Sequence, residues 1–189
     1  MNNKTDAEFK SLITKEEYER LIEQFAGSKS DYQTNHYFDT TRFSLKALDA
    51  SIRVREREDF ALTYKRKKGY NIDVKTVIID KETFDNIKAT GVIEIPEIAD
   101  ELQKLIKEQK LVNFLSLSTY RTYLPYSNGI LNIDKSEYLG TVDYEIEYSA
   151  KSYHQGKEEF IKLINELKIS YKKSDKKIKR AYTRLKELN

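Results

Sequence analysis

The sequence contains no cysteine and only two histidines, two prolines and six glycines. Without cysteine, the chain can form neither disulfides nor thiolate metal sites. His36 and His154 lie far apart and lack the close spacing of a zinc-binding pair, which argues against a zinc site or a catalytic triad built on histidine. So few prolines and glycines leave little room for long flexible linkers, and we expect one domain over residues 1–189.

Long apolar runs are missing too. No stretch approaches the roughly 20 apolar residues that a membrane-spanning helix needs, and Met1-Asn2-Asn3-Lys4 lacks the apolar core of a signal peptide. We therefore expect a cytoplasmic protein with no membrane contact. The net charge of +3 is too small to indicate nucleic-acid binding, and the lysines of residues 172–180 are typical of a solvated helix face. We expect no nucleic-acid partner, and a monomer or a homodimer.

The 14 tyrosines and 8 phenylalanines argue for a folded chain. Alternation of apolar and polar residues predicts eight mostly antiparallel strands, at residues 4–13, 33–39, 50–58, 60–68, 71–79, 114–126, 130–137 and 142–149. Helical spacing predicts helices after a capping box at Thr14 and over residues 81–90, 97–110, 156–168 and 174–188. Asn128-Gly129 predicts a hairpin turn.

Several predicted strands carry charges of one sign on one face. Because side chains alternate along a strand, Arg53 and Arg55 share a face, as do Glu145 and Glu147. Such rows do not neutralise themselves, so complementary rows or a charged ligand should face them. We predict an α+β fold in which an eight-stranded antiparallel β-barrel has a charged interior and is covered outside by amphipathic helices. The alternative is a sheet with one solvated charged face and one face packed on helices.

The two kinds of charge suit two parts of one ligand. Arginine and lysine bind phosphate oxygens, and clustered carboxylates bind a hard divalent cation such as Mg²⁺ or Mn²⁺. The sequence has no glycine-rich phosphate loop, so side chains would have to bind the phosphates. The pattern therefore predicts a binding site for a polyphosphate–metal complex.

A series of short motifs follows in a fixed order: Asp6-Ala7-Glu8-Phe9-Lys10, residues 37–40 and 45–55 ending in Arg53-x-Arg55, Leu62-Thr63-Tyr64-Lys65, Thr119-x-Arg121, Leu131-x-Ile133-Asp134, Asp143-Tyr144-Glu145-Ile146-Glu147 and Lys177-Ile178-x-Arg180. This order resembles the CYTH, or triphosphate tunnel metalloenzyme, superfamily, and most of all its short stand-alone members in Gram-positive bacteria. The first motif has Asp6 where the family has glutamate. Residues 37–40 and 45–55 resemble the family's second and third strands.

The resemblance implies an eight-stranded tunnel, a triphosphate or polyphosphate ligand, and Mg²⁺ or Mn²⁺. It assigns the metal to Asp6, Glu8, Glu145 and Glu147. It assigns phosphate binding and catalysis to Lys10, Arg53, Arg55, Lys65 and Arg121. It adds Asp134 and Lys177 as substrate-binding residues, with Asp134 orienting an arginine or lysine.

The leading hypothesis is a triphosphatase that hydrolyses inorganic tripolyphosphate or a nucleoside or other organic triphosphate. Cyclisation of ATP to cyclic AMP uses the same phosphate and metal site but needs a base pocket, for which the sequence specifies no residues. Thiamine triphosphate hydrolysis needs an aromatic platform, which the tyrosines permit. A non-catalytic sensor of polyphosphate or nucleotide is the alternative outside enzymology.

Overall fold

The computed structural model of the protein describes residues 7–188. Asp6 and the predicted part of the first strand before Ala7 lie outside the described residues. Within this range the strands are β1 (Ala7–Ile13), β2 (Lys29–Thr40), β3 (Ala50–Glu56), β4 (Phe60–Lys68), β5 (Asn71–Ile79), β6 (Leu111–Tyr126), β7 (Gly129–Tyr138) and β8 (Thr141–Ala150). The helices are α1 (Lys15–Gln24), α2 (Ser44–Ala47), α3 (Lys81–Thr90), α4 (Pro96–Ile106), α5 (Tyr153–Glu166) and α6 (Lys177–Leu188).

Hydrogen bonding orders the strands β1-β8-β7-β6-β2-β3-β4-β5. The pairings with a defined register are all antiparallel. The predicted α+β fold built on an eight-stranded antiparallel sheet is thereby confirmed. Among residues 7–188, no helix combines the length and the apolar character that a bilayer crossing demands.

The chain divides into two compact units. Of the described residues, the first unit takes 7–32 and 118–188, and the second unit takes Gln33–Leu117. Each has its own apolar core. The division between the units falls within strands β2 and β6. The single domain expected over residues 1–189 stays a prediction.

In the first unit, one face of the sheet carries the core. Leu131, Ile133, Ile146 and Tyr148 alternate with polar residues along β7 and β8, and all four are buried. Residues of α1 and α5 complete this core. Because the apolar side chains occupy one face, the polar residues between them lie on the other.

Helix α1 begins as predicted. Thr14 Oγ1 accepts a hydrogen bond from the Glu17 backbone N–H (3.2 Å), and Glu17 Oε2 accepts one from the Thr14 N–H (2.8 Å). This reciprocal pair satisfies two backbone donors that the first turn of a helix leaves without partners. The predicted hairpin after β6 is confirmed as well. Gly129 is needed there because a Cβ would lie 2.3 Å from the Ser149 carbonyl oxygen.

In the second unit, β3 and β4 bury Ile52, Val54, Leu62 and Tyr64 against α3 and α4. The strand character implied for residues 45–55 is wrong at its beginning, where Ser44–Ala47 forms α2. The cause is Asp39, a buried residue whose carboxylate accepts hydrogen bonds from the backbone N–H groups of Leu45 (2.9 Å) and Lys46 (3.0 Å). A side chain that bonds the backbone locally favours a helical turn over a strand.

Three basic side chains attach α4 to β4 and β5 through one carboxylate. Glu101 accepts from Lys68 (2.8 Å), Arg66 (3.1 Å) and Lys75 (3.3 Å). These hydrogen bonds, that of Lys68 foremost, lower the pKa of Glu101 to about 2. The ionised carboxylate therefore stabilises the packing of α4 on the strands.

We predict that Glu101→Gln lowers the free energy of unfolding by about 1–2 kcal/mol at pH 7, a value reduced for solvent screening of the partly exposed lysines. Because the fold depresses this pKa, the contribution is complete above the ordinary value of 4.5 and is lost as the pH falls from there toward about 2. Urea unfolding between pH 7 and pH 3 measures both effects.

Asp100→Asn is the matched control, since Asp100 is exposed on the same helix. It should leave the urea midpoint unchanged. Equal midpoints for Glu101→Gln and the unsubstituted protein at pH 7 would contradict the role given to Glu101.

Candidate functional site

The polar face of the first unit carries a row of paired charges across three strands. The register sets Arg121 opposite Asp134, and Asp134 opposite Glu145. Arg121 donates to both oxygens of Asp134, through Nε (2.7 Å) and Nη2 (2.6 Å). Asp134 is 0% exposed and Glu145 is 1% exposed. Burial lowers the pKa of Arg121, but its bonds and charge interaction with Asp134 outweigh burial and raise the pKa overall.

A second row runs beside the first. Asn132 lies opposite Glu147, and Glu147 lies opposite Lys10. The Lys10 ammonium donates to Glu147 Oε2 at 2.7 Å, and Asn132 Nδ2 donates to Glu147 Oε1 at 3.3 Å. Arg121 Nη2 lies 3.5 Å from Glu147 Oε1 and so links the two rows.

The opposite charges of Lys10 and Glu147 shift the pKa values of both groups. Burial lowers the pKa of Lys10, but the hydrogen bond and charge of Glu147, with those of Glu8 and Glu145, raise it overall. Burial raises the pKa of Glu147, and Arg121 and Lys10 more than reverse this. Both groups are therefore charged near neutral pH.

Helix α6 adds two further cations to this face. Lys177 donates to Asp134 Oδ2 at 2.6 Å and to Glu145. Arg180 donates through Nη1 to Glu145 Oε2 (2.7 Å) and through Nε to Asp143 Oδ2 (2.8 Å). These two cations hold the pKa of Glu145 below its usual range although burial alone would raise it.

The charges of the face balance in number. Four acids face four cations: Asp134, Asp143, Glu145 and Glu147 against Lys10, Arg121, Lys177 and Arg180. Glu8 lies at the margin, with a half-exposed side chain 3.3 Å from the Lys10 ammonium. We call these nine charged residues, together with Asn132, the charged face.

Most predicted residues of the first unit are found on this face: Glu8, Lys10, Arg121, Asp134, Glu145, Glu147 and Lys177. Sequence reasoning assigned no role in the site to Asn132, Asp143 or Arg180. A signal for Arg180 was present, because it lies three residues after Lys177 and so shares a helix face with it. Asn132 carries no charge, which left only its strand position as a signal.

In the second unit, Arg53, Arg55 and Lys65 share the face opposite the core. Arg53 lies opposite Thr63, and Lys65 lies opposite Ser51. Arg53 Nε is buried and has no hydrogen-bond partner among residues 7–188. Lys65 is exposed. The predicted basic row is therefore present on one face, and its role as a phosphate site stays a prediction.

The donor set of the charged face fits a divalent cation in kind. Hard cations prefer oxygen ligands, and Glu145, Glu147 and Asn132 supply them. The Asn132 Oδ1 atom is buried without a hydrogen-bond partner in the described part of the chain, so it is free to bind an added cation. Residues 7–188 hold no group of three or more His, Cys, Asp or Glu side chains arranged for a metal ion. Each buried acid of the charged face instead contacts a lysine or arginine, and a metal would have to displace one of these cations.

Comparison with known proteins gives relatives along nearly the whole chain. The CYTH domain family model matches residues 4–182. The Bacillus subtilis (strain 168) protein named "Putative triphosphatase YjbK" is 30% identical in an alignment of 188 residues that covers 96% of this chain and 96% of that protein.

Solved structures share the fold. A crystal structure from Bacillus halodurans, of "a putative adenylate cyclase (bh2851)", has a TM-score of 0.74 and 32% identity, and the match covers 93% of this chain and 96% of that chain. The Hippeastrum protein HpAC1 has a TM-score of 0.75 at 18% identity over 94% of this chain and 95% of its own, which is a likeness of fold. From the family match and these relatives together, the chain belongs to the CYTH domain family.

Proposed function

We propose that this protein is a metal-dependent triphosphatase that acts on inorganic tripolyphosphate or an organic triphosphate. The observation that carries the proposal is the charged face, where four cations and four acids alternate within hydrogen-bond distance. The family membership and the 30% identical relative with a triphosphatase name support it.

The cations of the charged face suit phosphate binding because their positions are already fixed. Arg121 is held by two hydrogen bonds to Asp134, and Lys10 is held by Glu147. Side chains held in place lose little freedom when a ligand binds, so more of the interaction energy goes to the ligand. Cations in fixed positions also stabilise the charge that develops on phosphate oxygens as the bond to the leaving group breaks.

Divalent metal dependence is what the family implies, and Mg²⁺ or Mn²⁺ is our proposal for the ion. Glu145 and Glu147 would hold it, with Glu8 and the free Asn132 oxygen as further donors. A bound ion would supply positive charge that stabilises the phosphate oxygens of the substrate. Asp6 remains a proposed ligand by resemblance alone.

The basic row of the second unit is proposed to bind phosphate as well. Arg53, Arg55 and Lys65 match the family's basic positions and share one face. The buried Arg53 Nε, which lacks a partner among the described residues, is a donor that an anion would satisfy.

Adenylate cyclase is the second candidate. It is favoured by the name of the 32% identical Bacillus halodurans structure. The two reactions start from the same bound phosphates and differ in the attacking group, which is water in hydrolysis and a ribose hydroxyl in cyclisation. Product identification therefore separates them.

We expect the purified protein to release phosphate from tripolyphosphate in the presence of Mg²⁺ or Mn²⁺ and to stop when the metal is chelated. A parallel incubation with ATP, with products separated by chromatography, distinguishes ADP or AMP from cyclic AMP. Cyclic AMP as the main product would favour the cyclase. No turnover of any triphosphate across metals and pH would overturn the enzyme proposal and favour a sensor.

The two parallel hydrogen bonds from Arg121 to Asp134 allow a more specific test of the site. Arg121→Lys keeps the charge but cannot make two parallel hydrogen bonds to Asp134. We predict that it lowers kcat/KM for tripolyphosphate by about 100-fold, the scale for losing one donor to developing charge. Arg184→Lys on α6 is the control, since Arg184 pairs only with Glu187 among the described ion pairs. If both variants keep wild-type activity, Arg121 has no part in catalysis.

Two lysines of β4 form a matched pair for the second unit. Lys65 and Lys67 are both exposed, lie two residues apart and point to the same face. We predict that Lys65→Met raises KM for tripolyphosphate roughly 10-fold, as expected for one lost bond to a charged group, while Lys67→Met changes it little. Steady-state kinetics on both variants checks this. Equal effects of the two substitutions would mean that Lys65 acts only through its charge and does not contact phosphate, which would contradict the prediction.

A further inference from the structure

A cavity of about 760 Å³ opens in the first unit beside β1. Its walls come from β1, from α5 and from the segment that precedes α6. The volume lies within the range of roughly 300–1,000 Å³ that is usual for small-molecule sites. None of the residues assigned to catalysis or metal in the sequence explains its apolar walls.

The wall against α5 is aromatic. Phe9 and Phe160 pack with ring centroids 5.8 Å apart, and the Tyr153 ring lies 5.4 Å from Phe9. Tyr171 lines the cavity from the segment before α6. Tyr153 and Tyr171 are each 62% exposed, so the fold leaves two aromatic rings uncovered in one cavity. Exposed rings of this kind are stacking surfaces for a planar ligand.

The rim is basic. Lys10, Lys157, Lys173 and Lys176 line the cavity together with one acid, Glu8. Within residues 7–188, no acid forms an ion pair with Lys157, Lys173 or Lys176. Lys10 is paired with Glu147 and Glu8, so the other three lysines supply the rim's positive charge, which attracts a polyanion and repels a cationic ring.

The cavity is continuous with the charged face. Glu8, Phe9 and Lys10 all line it, and consecutive strand residues point to opposite faces, so the cavity reaches around the edge of β1. Ser174, another lining residue, donates to Glu145 Oε2 at 2.8 Å. A single ligand could therefore contact the aromatic wall with one end and the charged face with the other.

The segment that carries Tyr171 and Lys173 is held in place from both sides. The Lys172 N–H donates to Ser11 Oγ (2.9 Å), and the Lys172 carbonyl accepts from the Leu12 N–H (2.9 Å). The Ser170 N–H donates to Glu17 Oε1 at 3.0 Å. The cavity wall is thus formed before any ligand arrives, which lowers the entropic cost of binding.

We propose that this cavity binds the uncharged aromatic ring of an organic triphosphate, such as the base of a nucleoside triphosphate, while the phosphates lie on the charged face. The inference rests on the proposed triphosphate site. Its basic rim selects a neutral ring over the cationic ring of thiamine triphosphate, because Lys157, Lys173 and Lys176 line the cavity without an acidic partner among residues 7–188.

Binding of non-hydrolysable ligands tests this apart from turnover. Isothermal titration calorimetry gives the Kd of β,γ-methylene-ATP and of the methylene analogue of tripolyphosphate, and the ratio of the two isolates the contribution of the ring. We expect Tyr153→Ala to weaken the ATP analogue about tenfold relative to the inorganic analogue, as expected for one lost stacking surface. Tyr171→Ala should do the same. Tyr70→Ala is the control, because Tyr70 is fully exposed in the second unit.

An unchanged Kd ratio in both tyrosine variants overturns the cavity proposal, even if the protein hydrolyses triphosphates. The reverse outcome is also distinguishable. If the protein hydrolyses no triphosphate but Tyr153→Ala changes the Kd ratio as expected, the ring site is supported and the proposed reaction is overturned. Failure of the unsubstituted protein to bind either analogue overturns both. If an apolar partner or a second copy of the chain occupies the cavity instead, the tyrosine variants should change the oligomeric state and leave the Kd ratio unchanged, which would overturn the proposal.

The charge of the rim is tested by a swap on α5. Lys157→Glu places a carboxylate beside the ring. It should raise kcat/KM for thiamine triphosphate relative to kcat/KM for ATP by about tenfold. Lys162→Glu makes the same change on the same helix outside the cavity and should leave the ratio unchanged. Equal shifts in the two variants would contradict selection by the rim.

Discussion

Ion pairing of buried carboxylates is the interaction on which the first unit depends. Asp134, Glu145 and Glu147 lie on a sheet face with almost no exposure to water. A buried charge without a partner costs several kcal/mol, so each of these acids requires a cation. Lys10 and Arg121 come from neighbouring strands, and Lys177 and Arg180 come from α6. The same requirement fixes strand register, since a slip of one residue would turn every acid toward the apolar core.

This constraint also makes the face suitable for a metal–polyphosphate ligand. A ligand that carries both a cation and several anionic oxygens can replace the internal ion pairs with equivalent pairs of its own, so neither the acids nor the bases are left uncompensated. The position of α6 is coupled to this exchange, because Lys177 and Arg180 attach the helix to Asp134, Asp143 and Glu145. The helix also has an apolar contact, since Ala181 is buried, so both ion pairs and apolar packing attach it.

Much of this arrangement follows from the sequence, for a physical reason. Strand alternation has a fixed period of two, so Glu145 and Glu147 had to share a face, and the Asn128-Gly129 turn set β7 against β6, which brought Asp134 opposite Arg121. Contacts between distant segments were less accessible. The pairing of Arg180 with Asp143 depends on where α6 packs, and α2 depends on a single carboxylate, Asp39. The cavity beside β1 was not predictable, because β1 is far in the chain from the other two segments that form it, α5 and the residues before α6.

The central claim is that the charged face binds a metal–triphosphate complex. A crystal structure with tripolyphosphate and Mn²⁺, with the metal located by anomalous scattering, tests it most directly. The expected result is a metal peak within direct coordination distance, about 2.0–2.6 Å, of Glu145 or Glu147 oxygens, with phosphate oxygens hydrogen-bonded to Lys10 and Arg121. A structure in which the same ion pairs persist and the metal and phosphates bind elsewhere would contradict the claim.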